Sequence, residues 1–255
     1  MPPSPRNSQP FLVQLGDLFL IELTNWRWSW RSMLLTATIT PLFGIIALGI
    51  FARDSGPSTL AYVLTGNLVL SLLFGAMDKV QSRFTYMRVV GALDYFAALP
   101  IQRYSLIQAV AVAFFLLSLP SLLATLGVGA LLLNLSLHLH PLLLIVIPVC
   151  ALSLAGLGAF IGVTVRDPHE GGSLSLLVTL VLAGLGPVAV PPERLPGIFL
   201  ILGRFSPATY AASALRQVIL GPVTLHLWLD LGVLIAFAVA FLWLVGWKMD
   251  WRGTS

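Results

Sequence analysis

The sequence predicts an all-α membrane protein, and three observations carry that prediction. Apolar residues make up 58% of the chain and charged residues only 9%, whereas a soluble domain carries roughly 25% charged residues. Six apolar runs reach the roughly 20 residues that a helix needs to cross the hydrocarbon core of a bilayer. These runs lack the alternation of a membrane β-barrel strand, and lipid permits only helices or closed barrels to span it.

The six runs define the predicted transmembrane helices. They occupy residues 33–51, 59–77, 106–133, 141–165, 172–190 and 227–247. The third run is long enough to tilt, or to bend at Pro120. Around the spans, we expect residues 1–10 to be disordered, residues 32–250 to form one six-helix domain, and residues 251–255 to be a cytoplasmic tail.

Basic residues set the predicted orientation. With both termini inside, the inner segments hold ten Lys and Arg residues and the outer segments hold four, as the positive-inside rule requires. Tryptophans fall near the predicted inner interface, as in an aromatic belt: Trp26, Trp28, Trp30, Trp247 and Trp251. We therefore expect a multi-pass protein of the bacterial cytoplasmic (inner) membrane with both termini in the cytoplasm, and no nucleic-acid partner.

Residues 11–31, before the first long run, are predicted to form an amphipathic helix in the membrane surface. Apolar residues recur there at spacings of three and four and share one helical face: Leu12, Leu15, Phe19, Leu23, Trp26 and Trp30. Gln14 lies away from this face. The alternative is the ragged start of the first span. The surface helix is favoured because Glu22, Arg27 and Arg31 are too costly for the bilayer centre.

The longest predicted cytoplasmic connection comprises residues 78–104 and is called the 78–104 loop. It carries four basic and two acidic residues. Within it, residues 92–99 are predicted to form a short helix that Pro100 ends. A loop of this length and mixed charge suits the docking of a cytosolic protein.

Residues 191–222, called the outer hairpin, lie outside by the charge argument yet are largely apolar. The apolar stretches 198–202 and 208–220 are separated by Gly203 and Pro207, and each is too short to span. We expect a re-entrant helical hairpin whose non-helical backbone is shielded by protein. A seventh, broken span is the alternative.

The sequence offers little catalytic chemistry. It contains no G-x-x-x-x-G-K-[ST] phosphate loop, so we do not expect this chain to hydrolyse ATP in that manner. Ser173 with His169 or His226 as its base would be a serine-protease arrangement. By the predicted topology, however, His226 and Ser173 belong to opposite membrane faces, whereas a base must lie within hydrogen-bond reach. His138 and His140 lack the further ligands of a zinc site.

Two local patterns resemble those of ABC-2 type transporter membrane subunits, the group that includes daunorubicin-exporter and Nod-factor-exporter permeases. The stretch from Gly91 to Arg103 is similar to the family's G-x-[LM]-[ED]-x-L-x-x-[TL]-P-[VI]-x-R, with Phe96 in place of the usual Leu. A stretch before the last run is similar to P-x-x-x-L-P…[NS]-P-[LA]-T-Y…[LI]-R. The resemblance covers about residues 12–249, with both patterns in the family's order.

The resemblance assigns residues to two regions. An ATPase-coupling loop would contain Gly91, Asp94, Leu99, Pro100 and Arg103, and an outer gate would contain Pro192, Glu193, Pro196, Pro207, Tyr210 and Arg216. A coupling loop must be stiff, and Pro100 supplies a fixed stop. We also expect Glu193 and Arg216 to pair, because lone charges in a half-buried hairpin are expensive.

The resemblance implies a fold of the ABC-2, or type V exporter, kind and the function of an exporter's membrane subunit. Its substrate would be hydrophobic or amphiphilic (a drug, lipid or glycan), moved outward along small faces that include Asn67, Ser118 and Thr125. The implied partners are a second membrane subunit, in a homodimer, and a cytosolic ABC ATPase. That ATPase would bind ATP and Mg, so this chain would need no cofactor and would not be an enzyme.

Three alternatives stay open at this point. The first is an ion-coupled secondary carrier, which is disfavoured because the predicted span interiors carry no acidic residue and Asp230 lies near a span end. The second is the intramembrane serine protease. The third is a non-catalytic membrane scaffold.

Overall fold

Helices make up nearly all of the fold. The structure is a computed structural model that describes residues 10–25, 30–52, 56–99 and 101–249, and no strand occurs in these ranges. The helices are α1 (Phe11–Asn25), α2 (Trp30–Ala52), α3 (Pro57–Leu72), α4 (Asp78–Val89), α5 (Ala92–Ala98), α6 (Arg103–Leu133), α7 (Leu143–Thr164), α8 (Pro168–Gly184), α9 (Gly197–Gly203), α10 (Pro207–Leu220) and α11 (His226–Lys248). A π-helical turn, Leu73–Met77, joins α3 to α4.

Five helices in the described ranges are long and apolar enough to cross a membrane. They are residues 34–52 of α2, the continuous helix 57–89, α6, α7 and α11. Together α9 and α10 have the length and apolarity of a further span, but a bend of 89° separates them. The predicted all-α membrane fold is confirmed, with five or six candidate spans.

The fifth predicted span differs from its prediction. The sequence predicts a span over residues 172–190, whereas α8 ends at Gly184 and residues 185–190 are not helical. Gly186 and Pro187 interrupt the helix, and Gly186 has a φ of 89°, a conformation that favours glycine. The 17 residues of α8 reach about 26 Å, slightly less than the roughly 30 Å of a hydrocarbon core.

The start of the 78–104 loop also differs from its prediction. The π turn makes α3 and α4 one helix of 33 residues, about 50 Å long, which exceeds the thickness of a hydrocarbon core. Val80, Phe84 and Met87 on α4 are fully buried, and α4 packs against α7 and α8. The chain is therefore helical to Val89, because these apolar residues recur at helical spacing.

The α7 helix lies at the centre of the bundle, with its most extensive contacts to α11 and α4. Most of its residues are buried. Gly158 and Gly162 on α7 let the backbone of the 57–89 helix approach closely, at Met77 and Gln81. By contrast, α2 and α11 expose most of their apolar side chains, as helices that face lipid do.

The α1 helix has three faces. Gln14, Leu18 and Glu22 are buried on the face that packs against α6 and α4. A second face is apolar and largely exposed, and includes Leu12 and Leu20. Polar residues on a third face are exposed. This division is what a helix in the membrane surface needs. Four residues of the predicted surface helix, 26–29, lie outside the described ranges, as do residues 1–9 and 250–255.

The predicted substrate path is not an open path in this conformation. Asn67, Ser118 and Thr125 are each buried among the helices. Nearby, the hydroxyl oxygens of Ser71 and Ser121 lie 3.2 Å apart and join α3 to α6. Small polar residues allow membrane helices to approach closely and to hydrogen-bond. In this conformation these residues take part in helix packing, and their place on a substrate path stays a prediction.

Candidate coupling site and outer hairpin

The 78–104 loop turns sharply between α4 and α5. The backbone N–H groups of Val90 and Gly91 donate to the carbonyl oxygens of Tyr86 and Arg88, at 3.0 and 3.2 Å. Gly91 has a φ of 72°, a left-handed conformation that closes helix ends and strains most other residues. Asp94 is exposed in the first turn of α5. The motif glycine therefore makes the turn from which α5 starts.

Apolar side chains are exposed around this turn. The turn surface, as we call it, consists of Tyr86, Val89, Val90 and Tyr95, and Tyr95 is 66% exposed. Its neighbour Phe96 is instead buried and packs into the core cluster that includes α1, α4 and α6. Exposed apolar side chains gathered at one turn are a feature of interaction sites.

Arg88 fastens the near side of the turn to α7. Its Nη1 donates to the carbonyl oxygens of Val163 and Val165, at 2.7 and 3.2 Å. These carbonyls lie where α7 ends at Thr164, and the last carbonyls of a helix have no partner within it. The guanidinium therefore satisfies them and adds a favourable charge at the negative end of the helix.

On the far side of the turn, Arg103 fastens the loop to the end of α11 in the same way. Its Nη1 donates to the carbonyl oxygen of Gly246 at 2.5 Å, within the last turn of α11. Gly246 has no side chain to keep Tyr104 away, and an added Cβ would lie 2.8 Å from the Tyr104 ring. Arg103, a motif residue, thus joins the start of α6 to the end of α11.

The α1 helix braces both sides of the loop as well. Glu22, which is 1% exposed, accepts two hydrogen bonds from Arg83 of α4, at 2.7 and 2.8 Å. Gln14 accepts from the Gln102 N–H at 2.9 Å and from the Ser105 hydroxyl at 3.2 Å. Hydrogen bonds to α1 therefore hold the chain both before the turn, at α4, and after it, at the start of α6.

A cavity of about 220 Å³ lies beside α5. It is lined by Arg88, Leu93, Asp94, Val163, Lys248 and Met249. The cavity leaves α5 room to move toward the end of α11. Asp94 of α5 and Lys248 of α11 both line it.

The two remaining motif residues of the loop follow α5. Leu99 is half-buried and packs against the cluster that holds Phe96. The Ile101 N–H donates to the Leu99 carbonyl oxygen at 2.8 Å, so the chain bends back directly after α5. Pro100 lies outside the described residues.

Prolines begin the short elements of the outer hairpin. Pro192 starts a 3-10 turn, Pro196 precedes α9, and Pro207 is the first residue of α10, where its fixed φ suits a helix start. The Tyr210 hydroxyl donates to the Arg204 carbonyl oxygen at 2.8 Å and closes the corner between α9 and α10. Glu193 is exposed.

The predicted Glu193–Arg216 pair does not form. In the part of the chain that the structure describes, no ion pair joins them. Arg216 instead lies over the ring of Tyr62, with its central carbon 3.5 Å from the ring centroid. An aromatic face stabilises a desolvated cation, so Arg216 needs no carboxylate from the exposed Glu193.

Asp230 supplies the buried carboxylate of this region. It is the fifth residue of α11 and is 6% exposed. Its Oδ2 accepts hydrogen bonds from the Ser213 hydroxyl at 2.6 Å and from Gln217 Nε2 at 3.0 Å. Gln217 Oε1 in turn accepts from the Thr224 hydroxyl at 2.8 Å. Ser213 and Gln217 are one turn apart on α10, so this network ties α10 to α11.

Sequence reasoning missed most of the partners of the site. From the sequence alone, Glu22 is recognisable only as too costly for the bilayer centre, and Asp230 only as lying near a span end. A buried acid in a membrane helix predicts a partner, and that signal was available for both residues. No comparable signal points to Gln14 or to the Gly246 carbonyl.

The structure shows no catalytic arrangement of Ser173 and His226 in the described residues. Ser173 is exposed on α8 and His226 is the first residue of α11. Within the described ranges, no three His, Cys, Asp or Glu side chains gather as metal ligands.

Comparison with known protein families identifies the family of the chain. The sequence model of a family described as ABC-2 type transporter matches residues 18–220, which is more than half of the chain. The comparison with curated proteins gives no match. The matched residues include both the 78–104 loop and most of the outer hairpin. The chain is therefore a multi-pass membrane protein that belongs to the ABC-2 type transporter family.

Proposed function

We propose that this chain is the membrane subunit of an exporter driven by a separate ABC ATPase that docks on the turn surface. Membership of the family supports a transport role with an ATPase partner. The observation that carries the docking site is the turn surface itself, with Tyr95 66% exposed on a loop tied to α1, α7 and α11. A loop held on both sides passes on a displacement that a slack loop would absorb.

The finer parts of the proposal rest on the resemblance and on charge. The substrate is hydrophobic or amphiphilic (a drug, lipid or glycan) and moves outward, as in the daunorubicin- and Nod-factor-exporter group. Two membrane subunits and two ATPase subunits form the working complex, and ATP and Mg bind to the ATPase. The positive-inside count supports a bacterial inner-membrane location with the loop and both termini in the cytoplasm.

Co-purification tests the docking proposal. The tagged chain, isolated from the membrane of the cell that makes it, should retain an ATPase with a phosphate loop. Tyr95→Ala and Asp94→Arg should weaken that retention by about tenfold or more, which is the effect of truncating a central interface residue. Arg204→Ala, an exposed change in the outer hairpin, is the matched control and should retain the ATPase fully.

A buried acid in the last span favours a second candidate, the ion-coupled carrier. Asp230 is buried, and intramembrane acids often mark ion pathways. This candidate predicts ion-driven transport by the purified chain alone in liposomes. That result, or equal ATPase retention by Tyr95→Ala and wild type, would contradict the docking proposal.

A further inference from the structure

We infer that α11 is a mechanical link that carries the displacement of the 78–104 loop to the outer hairpin, with Arg103 holding one end and Asp230 the other. This inference rests on the proposed function, since it needs an ATPase to move the loop. It assigns to Arg103, Asp230 and Ser213 the role of positioning residues for transport.

The first step is the contact at the loop end of α11. Arg103 begins α6 directly after the loop, and its guanidinium holds the Gly246 carbonyl oxygen. Tyr104 packs on the same glycine. A charge-assisted bond to a helix-end carbonyl is directional and short, so a shift of the chain at Arg103 pulls on the last turn of α11.

The second step is the contact at the hairpin end. Asp230 takes hydrogen bonds from Ser213 and Gln217, one turn apart on α10. Two bonds from successive turns fix both the position and the rotation of α10 relative to α11. A buried carboxylate that lost them would be left unpaired at a large cost, so α10 follows α11 when α11 moves.

The third step is the helix between the contacts. Asp230 and Gly246 are about 24 Å apart along the axis, and no proline interrupts α11. The buried residues of α11 lie toward its two ends: Leu227, Asp230, Leu231, Leu234, Val245 and Gly246. The middle of α11 is at most half-buried and packs on α7, where Gly156 lies against Phe241 and Ala238. We therefore expect α11 to move along α7 as one rigid body when its ends are displaced.

The same geometry separates α11 from the other route. Arg88 passes displacement to the end of α7, which lies at the centre of the bundle and is buried along its length. Among the described helices, α11 has a polar contact to Arg103 at one end and to α10 at the other. The α8 helix also joins the two regions, with Ser175 bonded to Asp78 of the loop at 3.1 Å and the Leu185 carbonyl oxygen accepting from Thr209 of α10 at 3.5 Å. Because the Arg103 bond is charge-assisted and the Thr209 bond is at the limit of hydrogen-bond length, we expect the outer hairpin to respond to the loop chiefly through Arg103 and α11.

The test uses the complex with its ATPase in lipid nanodiscs, in a Cys150→Ala background. A reporter cysteine, Arg204→Cys, lies on the exposed corner of the outer hairpin. The measurement is the ratio of its labelling rates by a maleimide with and without ATP, together with ATP hydrolysis. Arg103→Gln and Asp230→Leu should reduce the ATP-dependent change at least fivefold while hydrolysis continues.

Conservative variants separate coupling from folding. Arg103→Lys keeps a donor and Asp230→Asn keeps an acceptor oxygen, so both should restore much of the ATP response. Ser213→Ala should lower it without removing a charge. Arg166→Gln removes an exposed arginine whose side chain makes neither contact, and it should respond like wild type. The Arg103→Gln/Asp230→Leu double variant should be no worse than either single change, because both contacts lie on one route.

The outcomes distinguish the two proposals. If the parent protein with the reporter responds to ATP and Arg103→Gln responds equally, the role of α11 is refuted and the proposed function stands. If Asp230→Leu fails to fold, Ser213→Ala and Asp230→Asn decide the hairpin end. If the parent protein retains no ATPase and shows no ATP response, the proposed function itself fails.

Discussion

At the scale of single residues, a buried ion pair between Glu22 and Arg83 holds two helices together. Glu22 and Arg83 form a bidentate pair, with side-chain exposures of 1% and 14%. Exposed ion pairs contribute little, whereas removing one partner of a buried pair leaves an uncompensated charge. The pair therefore stabilises the packing of α1 against α4.

Glu22→Ala should therefore destabilise the protein by about 3–5 kcal/mol, the cost of breaking a buried pair by removing one partner. Thermal unfolding of the detergent-solubilised protein measures the change. Asp17→Ala, on the exposed face of the same helix, is the matched control and should shift stability by less than about 0.5 kcal/mol.

The double variant Glu22→Ala/Arg83→Met removes both charges and should recover most of the lost stability, because no buried charge is then left alone. Equal destabilisation by Glu22→Ala and Asp17→Ala would show that the pair is not buried in solution.

At this scale the sequence predicted positions but not partners. Gly91 and Arg103 were assigned to the loop from a motif, and the structure gives the physical reason for each: a left-handed turn and a helix-end carbonyl. The carbonyl that Arg103 holds lies 143 positions later in the chain. No local pattern encodes such a contact. The Glu193–Arg216 pair was wrong because it was inferred from the cost of lone charges in a half-buried hairpin, whereas Glu193 is exposed and Arg216 lies over the Tyr62 ring.

At the scale of elements, the crossing of α7 with the 57–89 helix depends on the absence of side chains. A Cβ on Gly158 would collide with the backbone carbonyl of Met77, and one on Gly162 would meet Gln81 and Phe84. The spacing is G-x-x-x-G, which allows membrane helices to approach closely. This spacing was present in the sequence as a signal of tight packing.

Gly158→Ala should separate these helices, since a backbone atom cannot rotate away. We expect a loss of at least about 1–3 kcal/mol, as for other overpacked sites, and weaker retention of the ATPase because α4 leads into the turn surface. Gly127→Ala on α6 is the matched control, as its Cβ would meet nothing within 4 Å. That change should be neutral or slightly stabilising. Similar unfolding temperatures for the two variants would contradict the crossing.

Apolar runs predicted which helices exist, because length and hydropathy alone decide what lipid can accommodate. They predicted helix ends less well. The run after residue 172 continues past Gly184, yet the helix stops there because Gly186 and Pro187 form a turn. Conversely, the helix after Met77 continues through polar residues, because one face of α4 remains apolar and packs on α7.

At the scale of the whole molecule, the topology depends on which segments between α7 and α11 cross the membrane. The 17-residue α8 is marginal in length, and α9 with α10 is either a broken span or a re-entrant hairpin. The polar contacts of Arg103 and Asp230 place the two ends of α11 at the loop and at the hairpin. The loop and the α10 end of the hairpin therefore lie at opposite faces, so the chain crosses between α7 and the end of α10. A re-entrant hairpin assigns that crossing to α8, and a broken span assigns it to α9 and α10.

Labelling from each side of the membrane checks this arrangement. In a Cys150→Ala background, Arg204→Cys in intact spheroplasts should react with a membrane-impermeant maleimide, while Arg166→Cys, just before α8, should react only after permeabilisation. The expected difference in rate is at least about tenfold, because the roughly 30 Å hydrocarbon core separates the two positions. Equal labelling of both cysteines in intact spheroplasts would mean that α8 does not cross. The hairpin would then lie on the same side as the ATPase, where α11 could not carry motion to an exit.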